Sequence, residues 1–250
     1  MTPTKKPSHT SHNSDFIRIA HRGASGIAPE NTLTAFKTAI EIGVDAIELD
    51  LHGTVDDQIV VIHDPTLDRT TNLDGLIKQM TLNKIKHADA GSWFDKRFEG
   101  EPIPTLSEVL AFAADKTISV LEIKDTTITK RVVEIVCEMD MLNRVIIISF
   151  DVSTIETVRS IEPKISTGLL IGGRNGSVCP IQLCQKVCLL GSNILNVHHQ
   201  LITPEFAYEV RRRGITLWCW TVDDIDRIRE LLSYGVQGIT SNYPEIFEKV

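Results

Sequence analysis

Short apolar runs recur along this chain, and nearly every one is followed by a helical stretch. The β-branched runs fall at 16–20, 45–50, 118–123, 144–149, 166–171, 193–197, 216–220 and 238–240. Each is close to continuously apolar on at least one face, as strands covered by helices are. Helical patterns lie between and after them at 31–42, 106–114, 127–139, 152–161, 180–189, 204–213, 223–233 and 244–249. Their ends carry signals. Thr105 with Glu108 three residues on reads as a capping box, and Thr203-Pro204-Glu205 puts proline at a first helical position. Gly43, Gly191, Gly214 and Gly235 stand at or just past helix ends. The alternation amounts to about eight βα units and predicts an α/β fold, a (β/α)8 TIM barrel, rather than an open doubly wound sheet. No GxGxxG or Walker-type loop supports the open-sheet alternative.

One interval breaks the rhythm. Between the second strand and the second helix, residues 52–104 form a small inserted subdomain. It holds a hairpin strand near 58–62, a short helical piece near 82–87 and the aromatic group Trp93, Phe94 and Phe98. Loops of this length in compact domains are commonly functional. This one leaves the C-terminal end of a barrel strand, where barrel active sites sit. The barrel is expected over 16–250 as a single domain, behind a flexible polar tail at 1–15. That tail has basic residues with no apolar stretch after them, so it does not read as a secretory signal.

Composition narrows the function. With 42% hydrophobic and 24% charged residues, 250 residues can bury a full core without disulfides or a structural metal. The net charge of −7 lacks the phosphate-neutralising surplus of a general nucleic-acid or anionic-membrane binder. No apolar run approaches the roughly 20 residues of a spanning helix. Cys137, Cys179, Cys184, Cys188 and Cys219 are odd in number and form neither a disulfide framework nor a CxxC zinc pattern. Reduced core thiols suit a reducing compartment, so a cytoplasmic location is expected. The oligomeric state is not legible.

The chemistry concentrates at three strand ends: His21-Arg22-Gly23, Glu48-Leu49-Asp50 and Glu122-Ile123-Lys124. Residues i and i+2 of a strand face the same way, about 7 Å apart. Glu48 and Asp50 therefore point together into the barrel mouth, as do Glu122 and Lys124. Three unpaired carboxylates there would repel, and a hard divalent cation resolves the repulsion. Mg²⁺ or Ca²⁺ suits the donor set, with Mn²⁺ as a third candidate. The competing reading is a structural ion network with Arg22 and Lys124. His21 and His63 are the acid–base candidates, since histidine titrates near neutrality. Arg22 and Lys124 supply positive charge for an anion such as phosphate. Phe150 and Trp220, at strand ends, would form an apolar wall. His52 is a weaker candidate, and His198-His199 end the sixth strand. His87 reads as solvated, and Arg211-Arg212-Arg213 as charge closing a helix. The glycine-rich loop at 172–176 is expected to be mobile and near the pocket.

Taken in order, these residues resemble the glycerophosphodiester phosphodiesterase family. The likeness begins with His21-Arg22-Gly23 and Pro29-Glu30-Asn31-Thr32, and continues with Ile47-Glu48-Leu49-Asp50. It runs on through Val60-Val61-Ile62-His63-Asp64, Leu67-Asp68-Arg69-Thr70-Thr71 and Gly91-Ser92-Trp93-Phe94. Ile103-Pro104-Thr105-Leu106, Glu122-Ile123-Lys124 and Trp220-Thr221-Val222-Asp223 complete it. Each motif alone is weak; their order and spacing are specific. The resemblance implies a barrel with a small insertion that hydrolyses glycerophosphodiesters to glycerol 3-phosphate and an alcohol. It implies His21 and His63 as the acid–base pair, Glu48, Asp50 and Glu122 as ligands of a divalent cation, and Arg22 and Lys124 as phosphate holders. The alternatives are a related barrel phospholipase acting on lysophospholipids and a non-catalytic binding barrel. The insertion's aromatic group would either pack the insertion onto the barrel or face a bulky leaving group. Two positions depart from the family's usual pattern: Asp56-Asp57 stands for Asp-Gly, and Ser241-Asn242 for Thr-Asp. Neither is expected to touch the chemistry.

Overall fold

The computed structural model describes residues 15–173 and 178–250. In chain order its strands are β1 (Ile17–Ala20), β2 (Ala46–Gly53), β3 (Ile59–Val61), β4 (Ile118–Ile123) and β5 (Val145–Ser149), then β6 (Ser166–Ile171), β7 (Ile194–His198), β8 (Thr216–Trp220) and β9 (Gly238–Ser241). All but β3 run parallel, in the order β1-β9-β8-β7-β6-β5-β4-β2, and β1 pairs with β2 to close the barrel. The helices are α1 (Leu33–Ile42), α2 (Leu82–Ile85), α3 (Leu106–Ala113), α4 (Thr129–Glu138), α5 (Val152–Ile161), α6 (Pro180–Leu189), α7 (Pro204–Arg211) and α8 (Ile225–Ser233). The barrel expected from the alternation is the barrel observed. The expected tail lies outside the described residues up to residue 14, as does the glycine-rich loop from residue 174.

Period-2 alternation sorts each strand. Ile19, Ala46, Val120, Ile148, Leu170, Ile194 and Trp218 pack together inside the barrel. Their neighbours Leu49, Leu121 and Ile147 face out and pack with Phe36, Leu106 and Val132 of the surrounding helices. Leu195, Leu217 and Ile239 do the same against Val210 and Ile228 on the other side. Truncating any of these fully buried leucines to alanine would cost about 2–5 kcal/mol.

The insertion lies between β2 and α3. β3 turns back antiparallel on β2, with Leu51 opposite Val61 and Gly53 opposite Ile59. Asp57, in the turn, adopts φ 56°, the left-handed region that the usual glycine would take. Val60, Ile62, Leu67, Ile77, Ile85 and Ile103 give the insertion a small core of its own.

Two predicted ends shift for physical reasons. The helix expected from residue 31 starts at Leu33, capped by Thr32, whose Oγ1 accepts from Ala35 N at 3.2 Å. Asn31 is held outside it at φ 59°. The stretch Pro244–Lys249 closes as 3₁₀ turns rather than an α-helix.

Candidate active site

The inward positions of the strands continue past the core to one end of the barrel. The step from Ile19 reaches His21, Ala46 leads to Glu48 and Asp50, and Val120 leads to Glu122 and Lys124. Across the mouth the same alternation brings up Phe150, His198, Trp220 and Asn242. The register agrees, because Asp50 stands opposite Glu122 across β2 and β4. Sequence spacing alone therefore gathers most of the site.

The turn after β1 is built tightly. Arg22 and Gly23 both have positive φ, 53° and 80°. A Cβ on Gly23 would meet the Ala35 carbonyl carbon at 2.7 Å, so the turn admits only glycine there. This conformation aims Arg22 N at Glu48 Oε2, 3.0 Å away. The Arg22 side chain reaches Glu30 Oε1 at 2.9 Å and Asp50 Oδ2 at 3.2 Å.

Glu48, Asp50 and Glu122 are all buried, and each offers an oxygen within 4.8 Å of the others. Lys124 Nζ lies 3.1 Å from Asp50 Oδ1 and 2.7 Å from Glu122 Oε1. Asn31 brackets Asp50, donating from Nδ2 to Oδ2 at 2.9 Å and accepting from the Asp50 backbone N at 3.2 Å. Glu48 Oε1 is buried without a hydrogen-bond partner. Burial, and then the charges of Asp50 and Glu122, push the Glu48 carboxyl well above the usual range. Burial works the same way on Asp50, but Lys124 and Arg22 outweigh it and hold that carboxyl below its ordinary value. Three acids thus share two close cations, one of which also serves Glu30. The donor set and its uncompensated charge fit a hard divalent cation.

His21 and His63 line one cavity of about 690 Å³ with Arg22, Glu122 and Lys124. Their surroundings differ. His21 Nδ1 lies 2.7 Å from Asn242 Oδ1, a neutral partner. Burial and the Arg22 charge lower its pKa to about 4, against raising contributions from Asn242, Asp50 and Glu30. His63 Nδ1 lies 2.6 Å from Asp64 Oδ1, a carboxylate. Burial lowers its pKa too, while Asp50 and Asp64 raise it. Arg69 joins Asp64 to Glu30, so one chain of ion pairs runs from His63 back to Arg22.

Phe150 and Trp220 meet edge to face with ring centroids 5.5 Å apart, and His198 packs on Trp220 at 5.3 Å. All three line the cavity. A second cleft of about 730 Å³ adjoins it through His63 and Lys124, lined further by Leu76, Lys78 and Asp125. His52 lines this second cleft and not the first, and its Nε2 donates to the His63 carbonyl at 2.9 Å and steadies that segment. Trp93 and Phe98 each meet Phe94 edge to face, and the group lines neither cavity. His87 bonds Asn83 O on the surface, and Arg212 and Arg213 pair with Glu209.

One expectation is corrected here. Asn242 was expected to stand clear of the chemistry, yet it is the hydrogen-bond partner of His21. Glu30, Asn31, Arg69 and Asp223, all within the recognised motifs, also make contacts in the site that their sequence positions do not signal. Alternation continued two residues beyond Thr240 would have placed Asn242 at the mouth.

Comparison with known proteins agrees with this geometry. The sequence profile of the Glycerophosphoryl diester phosphodiesterase family matches residues 21–246. A glycerophosphodiester phosphodiesterase of Caldanaerobacter subterraneus subsp. tengcongensis is 39% identical over 233 residues, covering 91% of this chain and 94% of that protein. The crystal structure of a glycerophosphodiester phosphodiesterase from Agrobacterium tumefaciens superposes with a TM-score of 0.83 at 28% identity, over 94% of this chain and 100% of that one. A phosphodiesterase from Oleispira antarctica, in complex with the product sn-glycerol-3-phosphate, also gives 0.83, at 26% identity over 92% and 94% of the two chains.

Proposed function

The chain belongs to the glycerophosphoryl diester phosphodiesterase family of hydrolases, and on that premise we propose that it cleaves glycerophosphodiesters to sn-glycerol 3-phosphate and an alcohol by two-histidine acid–base catalysis with a divalent cation. The observation that carries the reading is the meeting of Glu48, Asp50 and Glu122 beside a cavity that His21 and His63 both line.

Glu48, Asp50 and Glu122 would hold the cation, Mg²⁺ or Ca²⁺ by their hard oxygens, with Mn²⁺ as a third candidate. When bound, it supplies Lewis-acid neutralisation of the phosphoryl oxygens. Arg22 and Lys124 bind the phosphate from the protein side. Lys124 is paired to two of the acids and is placed to turn toward an anion in the cavity. Phe150 and Trp220, which line the same cavity, would flank the glycerol end.

The two histidines divide the proton work by their partners. His21, against a neutral amide and lowered to about 4, is unprotonated at neutral pH and serves as the base. His63, whose Asp64 carboxylate favours the doubly protonated imidazolium, serves as the acid in that form, with one proton on Nδ1 toward Asp64 and one on Nε2. In the attack step the nucleophile's O–H bond breaks and its proton passes to His21 Nε2. The new O–P bond forms as the bond to the leaving oxygen breaks, and that oxygen takes a proton from His63 Nε2. Where a glycerol hydroxyl is the nucleophile, water then opens the cyclic phosphate with the proton roles reversed. Because His63 faces both cavities, the leaving alcohol belongs to the second cleft, beside Leu76, Lys78 and Asp125.

The test is product analysis by ³¹P NMR on a panel of glycerophosphodiesters. Sn-glycerol 3-phosphate as the accumulating product supports the reading. Phosphate retained on the alcohol, or turnover of lysophospholipid alone, would replace it with a different specificity.

A further inference from the structure

Asn242 follows Thr240 at the next inward position beyond β9, and its amide orientation is decided by what surrounds it. Nδ2 lies 2.6 Å from Asp223 Oδ2, and a carboxylate oxygen only accepts. Asp223 is itself held in place, because its Oδ1 accepts from Asn242 N and from Ser241 Oγ, both at 2.8 Å. The amide oxygen must therefore face the other way. There it accepts from Ser25 Oγ at 2.9 Å and meets His21 Nδ1 at 2.7 Å. An amide oxygen also only accepts, so Nδ1 carries the proton and Nε2 keeps its lone pair. Reversing the amide would set an oxygen against the Asp223 carboxylate and an N–H₂ against the Ser25 hydroxyl, breaking the run at its charged end.

We propose that Asn242, locked by Asp223 and Ser25, is a positioning residue that fixes His21 in its Nδ1–H form and so presents a bare Nε2 to the attacking hydroxyl. The inference rests on the two-histidine reading above. A histidine side chain free in water favours the opposite, Nε2–H form, which cannot accept a proton at Nε2. The site thus needs a device to select the minority form. Other groups act on His21 without bonding its ring. Arg22 and Glu30 come from the loop after β1, and Asp50 comes from β2. His63, Glu122, Lys124 and His198 line the same cavity. Among the described residues only Asn242 hydrogen-bonds the His21 ring, so the choice of form falls to it.

This chain has an amide where the family usually has an aspartate, so the proton on Nδ1 is fixed without an added charge beside the ring, and the Asp223 charge stays one residue removed.

The test is ¹⁵N NMR of the full chain at pH 7, where long-range couplings show which ring nitrogen of His21 is protonated. It is combined with steady-state kinetics across pH for Asn242→Ala and for the exchanged pair Asp223→Asn with Asn242→Asp. The wild type should show the Nδ1–H form. Asn242→Ala should shift His21 toward the Nε2–H form and lower kcat about 10–100-fold, with KM little changed. The exchanged pair still offers an acceptor to Nδ1 and a donor between the two side chains. It should restore the Nδ1–H form and most of kcat, and it should move the acid limb of the pH profile upward, since His21 now faces a carboxylate. A wild-type His21 in the Nε2–H form would overturn the proposal. So would an Asn242→Ala enzyme with wild-type kcat, or an exchanged pair that recovers stability without a shifted acid limb. If Asn242→Ala does not fold, the wild-type spectrum and the exchanged pair decide alone. The spectrum is read without turnover, so failure of the catalytic reading and failure of this inference are told apart.

Discussion

Replacing Glu48 by glutamine should stabilise the metal-free protein while removing its response to divalent cations. Glu48 is 3% exposed, its Oε1 has no hydrogen-bond partner, and Asp50 and Glu122 each bring an oxygen within 4.8 Å. Burial and those two charges raise its pKa well above the ordinary 4.5. A raised value means that the folded state holds the proton more tightly than the unfolded chain does. The contribution of Glu48 therefore favours folding below the unfolded pKa and is lost as pH rises through the higher folded value. At neutral pH the metal-free protein carries that loss. Glutamine keeps an oxygen for the Arg22 N–H and offers an N–H₂ to the neighbouring acids. Removing this buried group, whose ionisation the fold disfavours, should be worth about 1–2 kcal/mol. For a chain of this size that is a Tm higher by about 2–8 °C. The wild type, in contrast, should gain about 2.7 kcal/mol from a cation at 100 times its Kd. Thermal melts of both proteins from pH 5 to 8, in chelator and in added Mg²⁺ or Ca²⁺, give the comparison. A Glu48→Gln protein that melts lower than wild type in chelator, or gains as much from the cation, would refute the charge argument.

His21→Ala and His63→Ala should each lower kcat by about 10²–10⁴ with the melting temperature retained, and the double variant should lose little more; near wild-type kcat in either would make that histidine structural. Asp64→Asn removes the carboxylate that raises the pKa of His63, so the basic limb of the kcat profile should move to lower pH, and an unmoved limb would separate His63 from the acid role. Asp125→Asn keeps the cap on Thr127 N but loses the charge in the second cleft, so it should lower kcat/KM about 2–5-fold for choline and ethanolamine diesters relative to glycerophosphoglycerol. Trp93→Ser should shift all three alike and lower the Tm, because the aromatic group lines neither cavity; head-group discrimination changed by Trp93 and not by Asp125 would reverse that assignment.

The barrel and the acidic cluster were legible because they depend on period. Glu48 with Asp50, and Glu122 with Lys124, share faces by strand geometry alone, and parallel neighbours put those faces side by side. What escaped depends on side chains that leave regular elements. Asn31 was counted as the first helical residue, but its amide is spent on Asp50, which holds it at positive φ and delays the helix to Leu33. Arg69 is distant in sequence from both Glu30 and Asp64, and only the folded insertion carries it between them. Asn242 lies beyond the last strand, and its contact with His21 needs β9 to close against β1. The aromatic group at 93–98 shows the opposite limit, in that closeness in sequence gave a cluster but not its distance from the cavity.

The central claim is that this mouth of the barrel is a cation-dependent phosphodiesterase centre. Its most direct measurement is the rate of sn-glycerol 3-phosphate release from glycerophosphocholine by protein stripped with excess chelator, before and after adding back Mg²⁺, Ca²⁺ or Mn²⁺. The account predicts that turnover disappears on stripping, returns with at least one of the three ions, and does not return in a Glu48→Gln, Asp50→Asn or Glu122→Gln protein. Undiminished release in excess chelator would contradict it.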